Sequence, residues 1–561
     1  MWAVVFALPL WSPADASAQT PCGLGIYQDA PAAWTLLRHA SSRAGPLEAA
    51  ENRSHWPLLR SVSNELLGVD SIPRHCSLAL RPLTPEVRLV GNSELPFSRE
   101  EGPLWAGRGW NTRLSGGFHA RWGRIEAIFA PEFTWSENRS HLLVDALVPE
   151  RSPYSSPWHT GGVETFWINA GSASIDLPQR FGPEAVTGVH SGQSTLAMRL
   201  GGWTVGASTE NRSWGPAMLN PLVLSANAPG FPHVFVQLRE PLEGRFGSLE
   251  GLLLAGELRS SDYFVESDAG RRSLGAMALV YRPPLADDGL EFGFVRSLYG
   301  GAEGWGDVLQ SGLDPLINWD RAPSLTPAEG EPRWQPEKEQ LTGLWARWIL
   351  PEDGFQVYGE WVRHRLPVSI KDLLTAPHYS QGYTLGAEWV GAMPGWAAPL
   401  LRLHGEVTNV EESSAFHHRE AHSFYTSEVV PEGYTHRGRP LGASFGPGGS
   451  GQWLALDVLG DWWSVGLHGG RIRWETDAFY RSRTQRPAFG RRTIHAFDAQ
   501  VFLGVRGALH IGWLDVEAEV LGSDRFNYYF FNPDVSWNTP GRVDFRTYTG
   551  SLTVRPRLLR H

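Results

Sequence analysis

The sequence contains no long apolar run. Apolar residues make up 42% of its 561 residues, yet no stretch approaches the roughly 18 consecutive apolar residues of a membrane-spanning helix. Apolar and polar residues alternate instead, as in residues 513–520, where Asp515, Glu517 and Glu519 are separated by apolar side chains. Successive side chains of a strand point to opposite faces, so this alternation is typical of β-strands. Repeated along the chain, it predicts an all-β fold, a transmembrane antiparallel barrel with apolar faces towards lipid and polar faces towards the lumen.

Cysteine and lysine are both scarce. The two cysteines, Cys22 and Cys76, predict one disulfide in the N-terminal segment of an exported protein, with two unpaired buried thiols as the alternative. Lys338 and Lys371 are the only lysines, so almost all basic residues are arginine. A GC-rich genome explains this composition, and guanidinium groups that face phosphate or carboxylate are the functional alternative. The net charge of −10 makes nucleic acid a poor partner.

The N-terminal region differs from the rest of the chain. Residues 1–11 are apolar and residues 16–18 form a small-x-small site, which predicts a signal peptide cleaved after Ala18. Apolar residues near helical spacing predict a small helical segment over residues 31–68, packed against the periplasmic mouth of the barrel. We therefore predict a signal peptide over 1–18, an N-terminal periplasmic helical or irregular segment over 19–105, and the barrel over 106–561.

About eighteen strands are predicted from residue 110 onwards. Most are about 10 to 15 residues long, the length needed to cross a bilayer at a tilt. The candidates cover residues 110–123, 124–138, 163–175, 193–202, 203–212, 233–241, 245–259, 273–284, 287–299, 339–350, 353–366, 379–392, 397–411, 451–461, 462–477, 493–505, 510–524 and 541–558.

The lengths of the connections alternate along most of the chain. Outer-membrane barrels have short periplasmic turns and long outer loops, so the alternation supports the barrel and orients it. Two connections break the pattern: the turn at Gly123 is too tight for an outer loop, and residues 139–162 are too long for a periplasmic turn.

Motifs for catalysis and metal binding are weak. Residues 417–422 contain three histidines, but Arg419 stands where a zinc-protease helix has glutamate, so a solvated loop is preferred to a metal site. Residues 446–451 lack the Lys-Ser/Thr ending of a phosphate loop and are interpreted as a turn. The acidic row at 515–519 is interpreted as a lumen face, solvated or paired with barrel arginines, rather than as catalytic carboxylates. We expect no enzyme activity, no metal and no cofactor.

Two predicted connections are unusual. Residues 211–232 are apolar and rich in proline and small residues, which predicts an ordered, packed loop. Residues 433–442 combine an aromatic residue, two arginines and tight glycine turns in a predicted outer loop. The apolar loop and the helices predicted at 31–68 favour a plugged lumen.

At these residues the chain resembles the capsule-assembly Wzi family of outer-membrane proteins. The family's Trp-Gly-Pro…Leu-Leu-Ser-Asn-Asn-Ala-Pro-Phe-Pro type segment is matched by residues 214–232, with Ala226 where the family tends to have asparagine. Its Tyr-x-Arg-Gly-Arg-Pro-Leu-Gly type segment is matched by residues 434–442. Residues 175–182 and 357–361 are similar to two further family elements. The similarity is clear over residues 165–445.

The resemblance implies an eighteen-stranded outer-membrane barrel whose loops face outside and bind capsular or extracellular polysaccharide. Such a protein helps to attach or assemble the capsule, contacts outer-membrane lipid, and is expected to be a monomer. Sugars are bound by aromatic faces and hydrogen-bonding forks, so the glycan-binding candidates are Trp214, Tyr434, Arg437 and Arg439. The motif residues expected to have structural roles are Asp176, Arg180, Gly215, Pro216, Ser225, Asn227, Pro232, Gly438 and Gly442.

Two alternatives remain open. A porin or transport channel is also consistent with a polar lumen, since barrels of 16 to 18 strands leave an aqueous channel unless they are plugged. An enzyme acting on lipid or glycan would need a nucleophile and base, for which the sequence offers no convincing set. Steady, large ion conductance would contradict the glycan-binding hypothesis.

Overall fold

The chain forms a closed antiparallel β-barrel of eighteen strands, as predicted. The computed structural model describes residues 59–61, 78–144, 152–157, 174–264, 271–285, 289–319, 338–350, 353–367, 369–392, 400–412, 423–427, 429–460, 462–479, 497–530 and 544–556. In chain order the wall consists of β1 (Leu78–Asn92), β2 (Gly109–Trp122), β3 (Ile125–Phe129 and Glu132–Ser136), β4 (Val186–His190 and Thr195–Leu200), β5 (Trp203–Ser208), β6 (His233–Leu238 and Leu242–Gly244), β7 (Gly247–Arg259), β8 (Arg271–Arg282), β9 (Leu290–Gly301), β10 (Lys338–Leu350), β11 (Phe355–His364), β12 (Gln381–Ala392), β13 (Leu400–Asn409), β14 (Ser450–Leu459), β15 (Trp463–Arg473), β16 (Ala499–Ile511), β17 (Leu514–Phe526) and β18 (Phe545–Pro556).

Strand β1 closes the barrel and was not predicted. It pairs with β2 on one side and with β18 on the other, so the barrel begins at Leu78 and includes residues assigned to the predicted N-terminal segment of 19–105. Pro82 and Pro85 break the strand pattern in the sequence, because proline cannot donate to a sheet ladder. The structure accommodates them with a register shift between Leu83 and Glu86.

The described strands close the wall without the strand predicted at 163–175. Strand β3 pairs directly with β4, with Glu132 opposite His190, which leaves no gap between them. Most of the predicted strand lies outside the described residues. With β1 added at the start and this segment removed, long and short connections alternate without exception. The tight turn at Gly123 now lies at the short-turn end, and the long connection of residues 137–185 at the opposite end, so both anomalies disappear.

The two faces of the wall differ as the alternation predicts. Towards the lumen, charged side chains pair: Arg555 bridges Glu86 and Glu517, and Arg99 pairs with Glu519. The acidic row at 515–519 is therefore paired on the lumen face, as predicted. Towards the outside, most exposed side chains are apolar. Near the short-turn end they include a girdle of Trp122, Trp203, Trp348, Trp389, Trp462 and Trp513, the arrangement seen at membrane interfaces.

The predicted N-terminal elements lie largely outside the described residues. These include the signal peptide, Cys22, Cys76 and most of the helical segment at 31–68. Within that segment, Leu59–Ser61 is described and forms a strand that pairs with Arg212–Trp214, so the helix prediction is wrong for these three residues. None of the helices in the described part of the chain is long and apolar enough to cross a membrane.

Short helices occur in the long connections. Helices α1 (Trp305–Ser311) and α2 (Asp314–Ile317) follow β9, and α3 (Ile370–Thr375) precedes β12. A 3-10 turn, Tyr528–Phe530, follows β17.

Candidate functional site

The loop between β5 and β6, residues 209–232, enters the barrel and is here called loop A. Two glutamates on distant strands hold it by its backbone. Glu360 on β11 accepts hydrogen bonds from the amides of Ala217 (2.8 Å) and Leu222 (3.1 Å). Glu406 on β13 accepts from the amide of Met218 at 2.8 Å, and from those of the next two residues. Since these strands are not neighbours of β5 or β6, loop A crosses the lumen.

The connection between β13 and β14, residues 410–449, is called loop B, and its described part packs against loop A. The Ser225 amide donates to the Leu441 carbonyl (2.8 Å), and the Ser225 hydroxyl donates to the Gly442 carbonyl (2.8 Å). The Asn227 side chain donates to the Pro440 carbonyl at 3.1 Å. A Cβ at Gly442 would overlap the Leu222 carbonyl oxygen, so glycine permits this close approach. The two motifs found in the sequence therefore meet inside the barrel.

Loop B continues to the opposite wall. The Tyr434 hydroxyl lies 3.0 Å from the Ser297 hydroxyl on β9, and Arg272 on β8 donates to the Gly433 carbonyl at 2.9 Å. The Arg437 amide donates to the Arg259 carbonyl at 2.7 Å. Together, loops A and B join opposite sides of the barrel through one continuous buried core. This confirms that residues 211–232 form a packed loop.

Burial separates the four predicted glycan-binding residues. Trp214 is 1% exposed and Tyr434 is 0% exposed, so neither offers a free ring face. Burial also raises the pKa of the Tyr434 phenol. Arg439 is buried too, at 8% exposure, and donates to the Gly102 carbonyl. Arg437 is exposed and adopts a positive φ of 50° next to Gly438.

The remaining motif residues are built into the same core. Gly215 has a φ of +103°, and a Cβ there would overlap Glu360, so the carboxylate can reach loop A only beside a glycine. Pro216, which follows Gly215 in the chain, is buried. The Pro232 carbonyl, at the end of loop A, accepts from an amide of β7.

The motif at residues 175–182 ties two further loops to loop B. Asp176 accepts from the amide and the hydroxyl of Ser261, both at 2.6 Å, and its own amide donates to Glu432. Burial raises the pKa of this carboxyl group. Arg180 donates to the carbonyls of Asn138 (2.6 Å) and Pro183 (2.9 Å). Asp176 and Arg180 thus anchor the connection between β3 and β4.

Above this core lies a partly exposed aromatic cluster, called the rim cluster: Trp105, Tyr154, Phe181 and Tyr263. The ring centroids are 4.8 Å apart for Trp105 and Phe181, 6.0 Å for Phe181 and Tyr263, and 5.5 Å for Tyr154 and Tyr263. The Arg439 guanidinium lies beneath, 5.8 Å from the Trp105 ring and 5.7 Å from the Phe181 ring. Burial lowers the pKa of Arg439 to about 10, which leaves it charged at neutral pH.

The rim cluster was not predicted. Its residues come from three separate loops at the long-connection end, and no sequence motif links positions 105, 154 and 263. A Cβ at Gly182 would overlap the Tyr263 hydroxyl, so the motif at 175–182 shapes the cluster. The abundance of tryptophan and tyrosine was the one feature of the sequence that indicated such a surface. It did not indicate which residues form the surface.

The other candidate motifs contribute little. The histidine-rich stretch at 417–422 lies outside the described residues. Residues 446–449 form a turn, as predicted, with Gly446 and Gly448 at positive φ, and residues 450–451 already belong to β14. Among the described residues, no group of three or more histidine, cysteine, aspartate or glutamate side chains could hold a metal ion.

Comparison with known proteins supports the fold. No protein-family model matches the chain, and no curated protein matches it. Among solved structures the chain is similar to Wzi, an outer membrane protein involved in group 1 capsule assembly in Escherichia coli and described as a carbohydrate-binding β-barrel. The TM-score is 0.51 and the sequence identity is 10%, over 85% of this chain and 84% of Wzi. The shared feature at this identity is the barrel fold of an outer-membrane protein.

More distant similarity extends to outer-membrane proteins of Pseudomonas aeruginosa. OccK2 (OpdF) has a TM-score of 0.36 and 9% identity over 85% of this chain and 98% of its own. OprD has a TM-score of 0.35 and 8% identity over 85% of this chain and 94% of its own. These values are too low to bear on function.

Proposed function

We propose that this protein is an outer-membrane barrel that binds a surface polysaccharide and helps to attach or assemble capsule or exopolysaccharide. The observation that carries the proposal is the bracing of the lumen by loops A and B. The motif residues of these loops fill the lumen of the barrel and support a surface above it. A wide channel would need that space free.

The rim cluster together with Arg437 is the proposed glycan-binding surface, in place of the buried Trp214 and Tyr434. Aromatic side chains with one exposed side offer apolar faces to sugar rings, and tyrosine hydroxyls can hydrogen-bond to them. The exposed guanidinium of Arg437 suits hydroxyl or carboxylate groups of a polymer. Anchored loops support binding because less conformational entropy is lost when the ligand docks.

The placement in the membrane is inferred from the faces of the barrel wall and from the lengths of its connections. The apolar outer face contacts outer-membrane lipid, the long connections face outside, and the short turns face the periplasm. The protein acts as a non-enzymatic monomer, and membership of the Wzi family is part of the same proposal. Similarity to a carbohydrate-binding barrel supports it.

A porin is the second candidate, favoured by the charged lumen nearer the short turns. There, Arg282 pairs with Glu250 and Glu291, and Arg506 pairs with Asp457. Rows of charge that face a lumen are typical of channels that conduct polar solutes.

Glycan binding by the purified barrel tests the proposal. We would immobilise polysaccharide extracted from the source cell surface and measure retention of the wild type, of a Trp105→Ala/Tyr263→Ala variant, and of Trp110→Ala. Trp110 is an exposed tryptophan on the outer wall and serves as the matched control. Loss of retention in the double variant alone supports the proposal.

Cells lacking the gene provide the second arm. Polymer released into the medium at unchanged total synthesis supports attachment by this protein. Unchanged attachment, together with steady, large conductance of the wild-type barrel in planar bilayers, would establish the porin alternative instead.

A further inference from the structure

A pair of short helices lies on the outside of the barrel rather than over its lumen. Helices α1 and α2 pack against β7, β8 and β9. A Cβ at Gly275 would overlap the carbonyl oxygen of Ser311, and one at Gly312 would lie 3.0 Å from the Ala255 Cβ. The neighbouring Leu274 belongs to the lumen core, so Gly275 faces outward. The helical pair is called the wall hairpin, residues 305–319.

The wall hairpin buries its small side chains and exposes its large apolar ones. The residues packed against the barrel are Val308, Ser311, Gly312 and Pro315. The exposed ones are Trp305, Leu309, Leu313, Leu316, Ile317 and Trp319. In water the hydrophobic effect favours the reverse arrangement. Small residues at a packing interface and large apolar residues pointing away are typical of protein in lipid, where close packing drives association.

The terminal nitrogens of the Arg296 guanidinium beneath the hairpin hydrogen-bond within the protein. Arg296 on the outer face of β9 is completely buried and donates to the Pro315 carbonyl (3.0 Å) and the Gln340 side chain (2.9 Å). The Trp319 ring lies 4.0 Å from this guanidinium, and its Nε1–H donates to the Leu316 carbonyl at 2.8 Å. Internal hydrogen bonding of this kind is required where no water is present.

The charged residues of the hairpin are also engaged. Asp314 forms a 2.5 Å salt bridge with Lys338, one of the two lysines in the chain. Asp307 accepts from the amides of Glu303 and Gly304 at the start of α1. Asp314 and Asp307 therefore both have partners within the protein. The apolar surface of the hairpin continues into the apolar wall beside it.

We propose that the wall hairpin is embedded in the acyl chains of the outer leaflet as an extension of the barrel's apolar belt. The inference rests on the proposed placement of the barrel in the outer membrane. Its basis is continuity: Leu344 on β10 and Phe292 on β9 are exposed on the same outer face, on the short-turn side of the Arg296 position that the hairpin covers. The hairpin widens the lipid contact on one side of the barrel.

Site-specific photocrosslinking of the full chain in phosphatidylcholine vesicles tests this. The photoreactive residue p-benzoylphenylalanine is placed separately at Leu309, Leu313 and Ile317, and products are identified by mass spectrometry. Leu344 is the control for a wall position in lipid, and Arg437 is the control for a surface in water. Heat-dependent gel mobility shows whether each variant is folded. Because three hairpin positions are used, the test remains valid if one variant does not fold.

Lipid adducts at the hairpin positions, in yields comparable with Leu344 and absent at Arg437, are expected. Crosslinks between two copies of the chain, or no adduct at the hairpin while Leu344 labels lipid, would overturn the inference. No lipid adduct even at Leu344 would overturn the membrane placement and this inference with it. Glycan retention is measured separately, so failure of the polysaccharide proposal is distinguishable from either result.

Discussion

The backbone amide of Ala217 donates to the Glu360 carboxylate across the lumen at 2.8 Å. The same carboxylate also accepts from Leu222, and Glu406 holds the residues between them in the same way. A short stretch of loop A is thus fixed to two strands that are remote from it in sequence. Because hydrogen bonds to charged groups contribute about 1.5–3 kcal/mol each, these two side chains make a substantial contribution to the anchoring of loop A.

We therefore predict that Glu360→Ala/Glu406→Ala releases loop A and raises ion conductance in planar bilayers several-fold. The barrel wall should persist, since the strand pairing of β11 and β13 is unchanged, and heat-dependent gel mobility checks this. Glu388→Ala is the matched control, because this lumen carboxylate pairs with Arg402 on the wall rather than with loop A. Equal conductance in the double variant and the control would show that loop A is held by other contacts.

The contact between loops A and B gives a second prediction. A side chain at Gly442 would overlap the Leu222 carbonyl oxygen, whereas one at Gly550 on β18 meets no atom within 4 Å. Gly442→Ala should destabilise the folded protein by about 1–3 kcal/mol, the usual cost of overpacking, and Gly550→Ala should have little effect. Thermal unfolding compares the two variants. Equal melting temperatures would mean that the loops can move apart without cost.

How far the sequence predicts the fold is clear from particular strands. Alternation predicts most of the wall, including β17 with its acidic row, because each residue of a strand faces either lipid or lumen. Strand β1 is not predicted because Pro82 and Pro85 interrupt its alternating pattern. The register shift that accommodates them is not visible in the sequence. Pairing of β3 with β4 likewise depends on partners that are far apart in the chain.

The candidate site is less predictable. The motifs around Trp214 and Tyr434 mark ordered loops correctly, but a local sequence does not tell whether a loop folds outward or into a lumen. Their burial follows from partners such as Ser297, which lies over a hundred residues away. The rim cluster depends on three loops meeting, and Trp105 and Tyr263 carry no local pattern that announces it.

A third prediction concerns pH. Burial, together with the nearby charges of Asp498 and Asp477, raises the pKa of Glu475 to about 8 from an ordinary value of 4.5. Between these values the folded protein binds a proton that the unfolded chain has released, so stability falls as pH rises through this window. Glu475→Gln keeps the neutral form and should flatten the decline. Melting temperatures from pH 5 to pH 9 measure this decline in stability, and identical pH profiles for the variant and the wild type would contradict the prediction.

The last prediction separates Arg437 from the buried arginine beside it. Arg437 is exposed at the long-connection end, while Arg439 is buried and donates to Gly102 within the core. Arg437→Ala should weaken polysaccharide binding by about tenfold without lowering the melting temperature, because a hydrogen bond to a charged group contributes about 1.5–3 kcal/mol. Arg546→Ala, which removes another exposed arginine at the same end of the barrel, is the matched control. Binding curves for the purified variants decide the matter: if Arg437→Ala and Arg546→Ala bind alike, then Arg437 is not part of the glycan surface. If affinity also falls with rising salt for the wild type and less so for Arg437→Ala, the polymer is acidic, since screening weakens attraction between exposed charges.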